Sequence, residues 1–214
     1  KDILAGNVCL NSKLKADLSK PINLFLDDFD NNGQIDPIIF YTLFGKYLTF
    51  FSKNKLTEQI PAIKKKYISY KEFSKVETIE DLTGKSEDEI LEIKSIKELR
   101  SMLYLGSKEG FKKIPLPKEA QMSNIQDFIV ESIDGNVKVK FVGNHYDYVT
   151  ELGKNMSNSG GEITDFENFK FNTYKSLNLP NSFNGRRIHK LSSNQYLIVL
   201  NNNHSYILTP NYEK

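Results

Sequence analysis

The chain of 214 residues has no tryptophan, a single cysteine, three histidines and three methionines. One thiol, Cys9, permits no internal disulfide, so cysteine usage does not reveal the redox compartment. Within Val8-Cys9-Leu10 it is expected as a small buried core residue. Three scattered histidines leave little material for a His-based nucleophilic triad or for a soft-metal site, which needs Cys or His ligands. No apolar run approaches the roughly 18 residues that cross a bilayer as a helix. Net charge is also lacking: 29 basic and 27 acidic side chains give +2. The balance is local as well, with 16 of each sign in residues 1–100 and 13 basic against 11 acidic in 101–214. A nucleic-acid or anionic-membrane surface of the kind a basic domain presents is therefore not expected. The Gly-x-Ser-x-Gly elbow, the Walker loop and His-Glu-x-x-His are absent, and with them the chemistry those motifs announce.

What the chain does have is asparagine, 21 residues, with 14 Phe and 11 Tyr. Many of the asparagines adjoin Gly, Ser or another Asn, the chemistry of tight turns. At 39% hydrophobic and 26% charged, the composition is that of an ordinary globular protein. The chain opens at Lys1 with neither an initiator Met nor a signal peptide. It is therefore expected to be a piece of a longer protein, with any targeting segment upstream.

Short apolar runs bounded by turn residues mark strands in the first 52 residues: Ile3–Ala5, Ile22–Leu26, Ile38–Phe44 and Tyr47–Phe51. Gly45-Lys46 between the last two suits a two-residue type II′ turn and an antiparallel hairpin. From 53 to 100 the period changes. Leu56, Ile60, Ile63 and Tyr67 form a helical stripe that Pro61 must kink or begin, and Ser86 with Glu89 forms a capping box before Ile90, Ile93, Ile96 and Leu99. This predicts a helical insertion over a β framework. Strand patterns return over 101–214, at Met102–Leu105, Phe111–Leu116, Phe128–Val130, Val137–Val142, Tyr196–Leu200 and Ser205–Leu208. Val137, Val139 and Phe141 alternate with Lys138 and Lys140, apolar on one face and basic on the other. Residues 153–185 carry little signal, and Asn155–Gly161 reads as a loop. The expected fold is mainly β, with about ten short strands in antiparallel groups and the helices confined to one insertion.

One segment carries chemistry: Asp28-Phe29-Asp30-Asn31-Asn32-Gly33-Gln34-Ile35-Asp36. Oxygen side chains at relative positions 1, 3, 5 and 9, with Gly33 at the sharp turn, can wrap one hard cation, and the Gln34 carbonyl can add a ligand. Three carboxylates and an amide suit Ca²⁺, which takes six to eight oxygens. An EF-hand needs a bidentate Glu at position 12 and flanking helices; here that position is Ile39 and the flanks are strand-like, so the loop is expected to join two strands. A plain Asx-rich hairpin turn is the metal-free alternative. Asp27, Asp28, Asp30 and Asp36 would repel one another there.

The order strand, Asp-x-Asp-x-Asn-Gly-x-x-Asp, strand resembles the calcium loop of FG-GAP/VCBS repeats, which build β-propeller blades. Ala5–Ala16 before the loop, the helical insertion after Phe51 and Lys112–Gln121 are similar to the C-terminal part of bacterial VCBS-repeat proteins, over most of residues 1–150 and loosely over Arg186–Leu208. The resemblance implies antiparallel blades of an incomplete β-propeller in an exported or cell-surface protein, periplasmic or extracellular. It also implies Ca²⁺ on Asp28, Asp30, Asn32, Gln34 and Asp36, and a non-enzymatic role in binding or scaffolding a protein or glycan partner. A polysaccharide-active enzyme, or its accessory domain, is the alternative. At about 50 residues per blade the chain is too short to close a ring of four to eight. The segment Glu131–Asn136, where a second loop would fall, lacks the spaced carboxylates, and no metal is expected there.

Elsewhere the ordinary readings prevail. His145 and Asp147 would share a strand face as a surface pair. Lys64-Lys65-Lys66 and Arg186-Arg187 read as solvated faces. Tyr146 and Tyr148 with Asn144 suit either a sugar contact or a sheet edge.

Overall fold

The computed structural model describes residues 1–133, 135–168 and 170–209. Chain contacts divide it into two compact units: Lys13–Glu98, and Lys1–Ser12 together with the chain from Leu99 onward.

In the first unit β2 (Ile22–Asp27), β3 (Asp36–Leu43), β4 (Lys46–Thr49) and β5 (Glu92–Ile96) form an antiparallel sheet of order β4-β3-β2-β5. Strand pairing sets Asp27 opposite Asp36, Phe25 opposite Ile38 and Asn23 opposite Phe40. Because side chains alternate across a strand, these residues share one face. That face carries the core: Phe25, Ile38 and Phe40 pack with Leu56, Ile60, Ile63, Val76, Ile79 and Leu82. The latter come from a layer of short helices, α1 (Lys53–Gln59), α2 (Ala62–Lys66), α3 (Tyr70–Phe73) and α4 (Ile79–Thr83). The expected stripe is present but broken: Pro61, which has no N–H to donate, separates α1 from α2. Capping boxes at Ser69/Glu72 and Thr78/Asp81 start α3 and α4.

Three expectations are corrected here. Ser86 and Glu89 do form a capping box, but it starts only a 3₁₀ turn, Glu87–Glu89. The chain then enters β5, pairing Ile93 with Phe25 and Ile96 with Ile22, so the spacing-three isoleucines lie on no helix. β-branched residues beside an open edge of β2 gain ladder hydrogen bonds that a short, weakly amphipathic helix does not offer. The β3–β4 hairpin is antiparallel as expected, yet Leu43 pairs with Lys46, so its turn residues are Phe44 and Gly45. Both have positive φ, 50° and 79°, which is the type I′ geometry rather than II′.

Among its described residues the second unit holds three antiparallel sheets, none of them closed. The first is β1-β6-β7, made of β1 (Ile3–Ala5), β6 (Met102–Ser107) and β7 (Gly110–Pro115). The second is a four-stranded meander of β8 (Ile125–Ile133), β9 (Asn136–Gly143), β10 (Gly160–Glu167) and β11 (Lys170–Ser176). The third comprises β12 (Gly185–Ser192), β13 (Gln195–Leu200) and β14 (Tyr206–Leu208). Both faces of the meander are covered. Val139, Phe141, Ile163 and Phe171 pack with Leu103, Ile114 and Leu116 on one side. On the other, Val142 joins Ile188, Tyr196, Ile198 and Leu200. The face opposite Val139 and Phe141 is covered too, so Lys140 on that face is buried. Cys9 is fully buried, as its apolar setting predicts.

Gly160 and Gly161 begin β10 instead of lying in a loop. Gly161 pairs with Phe141, and a Cβ there would come 2.4 Å from the Tyr174 ring and 2.9 Å from that of Phe141. Rings from the two neighbouring strands occupy the space a side chain would take, which a turn-forming residue type does not announce. Among the described residues no helix is long and apolar enough to cross a membrane.

Candidate metal centre

The acidic segment joins β2 to β3, strand to strand, and its shape follows from its own short polar side chains. The Asp28 carboxylate accepts N–H groups from Asn32 at 3.0 Å and Gly33 at 2.8 Å, closing the loop on itself. Asn32 Oδ1 accepts from the Gln34 amide at 2.8 Å. Asn31 and Gly33 adopt positive φ, 60° and 85°, which Asn and Gly tolerate and a β-branched residue would not. The Gly33 N–H, seconded by those of Asn32 and Asn31 and by the charge of Lys85, holds the Asp28 carboxyl below the usual carboxylate range against the opposing effect of burial.

Within this loop Asp28, Asp30 and Asp36 each place one carboxylate oxygen within 4.8 Å of the others. Two oxygens on one Ca²⁺ lie no farther apart than about twice its bond of about 2.3–2.6 Å, roughly 5 Å, so the three can share an ion. They form the one group of three or more acidic, His or Cys side chains that converges this closely among the described residues. Asp30 Oδ1 is buried and has no hydrogen-bond partner among the described residues. An unsatisfied buried carboxylate oxygen is costly, and a cation would satisfy it. On that observation the donor set fits a hard divalent ion.

The other two expected ligands lie on the exposed part of the same loop. Asn32 and Gln34 are exposed. The Asn32 side-chain oxygen is engaged with the Gln34 amide and would have to use its second lone pair on a metal. Two residues that motif reasoning missed support the trio from the helical layer. Gln59, at the end of α1, donates its amide to Asp36 Oδ1 at 3.1 Å, while the Phe29 N–H reaches Asp36 Oδ2 at 3.2 Å. Lys85, just past α4, lies 3.1 Å from Asp27 Oδ2 in an ion pair and donates to the Asp28 carbonyl at 3.2 Å. Asp27 and Asp36 share the helix-facing side of the sheet with Phe25 and Ile38, which is why groups from the helices reach them. The alternation was readable, but the layer covering that face was not.

The remaining candidates resolve into structural roles. Arg186 lies between His145 and Asp147, 3.2 Å from Nδ1 of the first and 2.8 Å from Oδ2 of the second, so the pair holds a guanidinium rather than a metal. Burial, then the Arg186 charge, pushes the His145 pKa down, partly opposed by Asp147. The Asn144 side chain is consumed by Ser123, Ser159 and the carbonyls of Asn181 and Phe183. Tyr146 and Tyr148 donate to the Asn181 carbonyl and the Asn124 side chain. Lys64, Lys65 and Lys66 are exposed in α2, a solvated face. Asp134, in the turn where no second metal loop was expected, lies outside the described residues. Comparison with protein-family models, with curated proteins and with solved structures finds no match to this chain.

Proposed function

We propose that the chain is a calcium-stabilised segment of an incomplete β-propeller of the FG-GAP/VCBS type. Its role is non-enzymatic, in binding or scaffolding, within an exported or cell-surface protein. The observation that carries the reading is the convergence of Asp28, Asp30 and Asp36 with a buried, partnerless Asp30 oxygen. The three carboxylates would hold Ca²⁺, with the Asn32 side chain and the Gln34 carbonyl completing the set, and the ion would neutralise their mutual repulsion. Asp36 would be held in place by Gln59 and the Phe29 amide, so that the ion would pin the β2–β3 connection. Stacked three- and four-stranded antiparallel sheets in the second unit support the blade reading.

Thermal unfolding with and without calcium tests it. At an ion concentration a hundredfold above Kd, binding stabilises by about 2.7 kcal/mol, which for a chain of this size raises Tm by about 5–10 °C relative to chelated protein. Asp30→Ala is expected to abolish that difference. Melts that coincide with calcium and with chelator in the unsubstituted protein would overturn the metal reading.

A further inference from the structure

A cavity of about 210 Å³ opens in the second unit where the 3₁₀ turn Lys118–Gln121, the loop before β10 and the end of β11 converge. Met122 and Leu179 supply carbon surface, and Tyr174 adds an aromatic side chain. The polar lining is notable for what its hydrogen bonds leave unused. Asn158 Nδ2 donates to the Tyr174 hydroxyl at 3.1 Å and to the Glu119 carbonyl at 2.8 Å, while its Oδ1 accepts from Gly160 at 3.1 Å. Asn158 is thereby spent, and it makes the Tyr174 oxygen an acceptor, leaving the phenolic hydrogen to be donated elsewhere. No described residue accepts it. Ser157 Oγ accepts from Asn11 at 2.7 Å and Ser176 Oγ from the Asn178 amide at 3.0 Å, so each keeps a hydroxyl hydrogen to give. The Glu119 carboxylate and the Asn181 side-chain amide have no hydrogen-bond partner among the described residues.

The chemistry of this lining selects a ligand class. It contains one carboxylate and no Lys, Arg or His, which disfavours phosphates and carboxylates. A single acidic side chain provides too few oxygens for a hard cation. The carbon surface is too small for a lipid chain. A ligand whose neighbouring hydroxyls both donate and accept, and which has a C–H face to lay on carbon, matches the mixture of three donors, one acceptor and one amide. We propose that this cavity binds one neutral sugar residue. Tyr174, Ser157 and Ser176 donate to its hydroxyls, Glu119 accepts, Asn181 does both, and Asn158 positions Tyr174. The site uses none of the β2–β3 loop and stands or falls apart from the metal.

Saturation-transfer NMR on the whole chain tests this with free glucose, galactose, mannose and N-acetylglucosamine, and with glucuronate as the anionic counterpart. Transfer to at least one neutral sugar and none to glucuronate is expected, with a millimolar dissociation constant typical of so small a ligand. Tyr174→Phe keeps the ring and removes the donor, and should weaken binding about three- to tenfold. Asn181→Ala, at an exposed position outside the core, should do the same with Tm unchanged. Absence of transfer to all four neutral sugars overturns the proposal, as does equal transfer to glucuronate or affinity untouched in both variants.

Discussion

Lys140 is 1% exposed, and its charge is matched from three strands. Its ammonium lies 2.8 Å from Glu131 Oε2 and 2.6 Å from Glu162 Oε2, over the face of Tyr196. Glu131 also accepts from the Tyr196 hydroxyl at 2.7 Å and from Lys190, so one carboxylate ties the meander to the β12–β14 sheet. Burial opposes ionisation of Glu131, but hydrogen bonds from Lys140, Lys190 and Tyr196 outweigh it and bring the pKa down from 4.5 to about 2. A carboxyl whose pKa is depressed by folding stabilises fully above its unfolded value and loses that contribution as pH falls. The melting temperature is accordingly expected to fall as pH drops from 4.5 towards about 2, and Glu131→Gln to flatten that fall while lowering Tm at neutral pH. Lys140→Met leaves buried Glu131 with Lys190 alone as ion-pair partner and half-buried Glu162 without the cation they share. It should cost about 3–5 kcal/mol in denaturant unfolding, and a cost below about 1 kcal/mol would show the network to be idle.

At the scale of elements, turn residues and strand edges decide more than propensity does. Phe44 sits at φ 50° in the β3–β4 turn with its ring 96% exposed, so it carries left-handed backbone strain with no packing to offset it. Phe44→Asn keeps the type I′ geometry with a residue that tolerates it, and should stabilise by about 0.5–1 kcal/mol in equilibrium unfolding. A destabilised variant would mean that the ring matters to the hairpin. The isoleucines of β5 illustrate the opposite case. Their spacing suggested a helix behind a genuine capping box, yet the open edge of β2 drew them into a ladder. Capping is local and was readable at Ser86; edge pairing lies some 70 residues away in sequence and was not.

At the scale of the molecule, Lys13–Glu98 is inserted into a unit built from both flanking parts of the chain. The junction is closed on the unit's own side: Cys9 N donates to the Leu99 carbonyl at 2.9 Å, Leu10 N to that of Gln121 at 3.0 Å, and Asn7 N to Ser101 Oγ at 3.1 Å. Each unit also has its own hydrophobic clusters. Replacing residues 13–98 with a short Gly/Ser linker is therefore expected to leave a cooperatively melting β protein with ordered tyrosine signals in near-ultraviolet circular dichroism. Loss of those signals would show that the second unit depends on the first.

The amino-acid sequence alone determined the mainly β character, the strands bounded by Asn and Gly, the break at Pro61, the burial of Cys9 and the acidic loop between two strands. All of these rest on interactions within a few residues, which spacing and residue type express directly. Only the tertiary structure decided that both faces of the meander are covered. That burial turned Lys140 inward, and cross-strand packing set Gly161 between two rings. The tertiary structure likewise brought Gln59 and Lys85 to the acidic loop and left unspent hydrogen-bond donors around one small cavity. Those outcomes depend on which sheet or helix lies across a face, a relation between distant segments that no local pattern encodes.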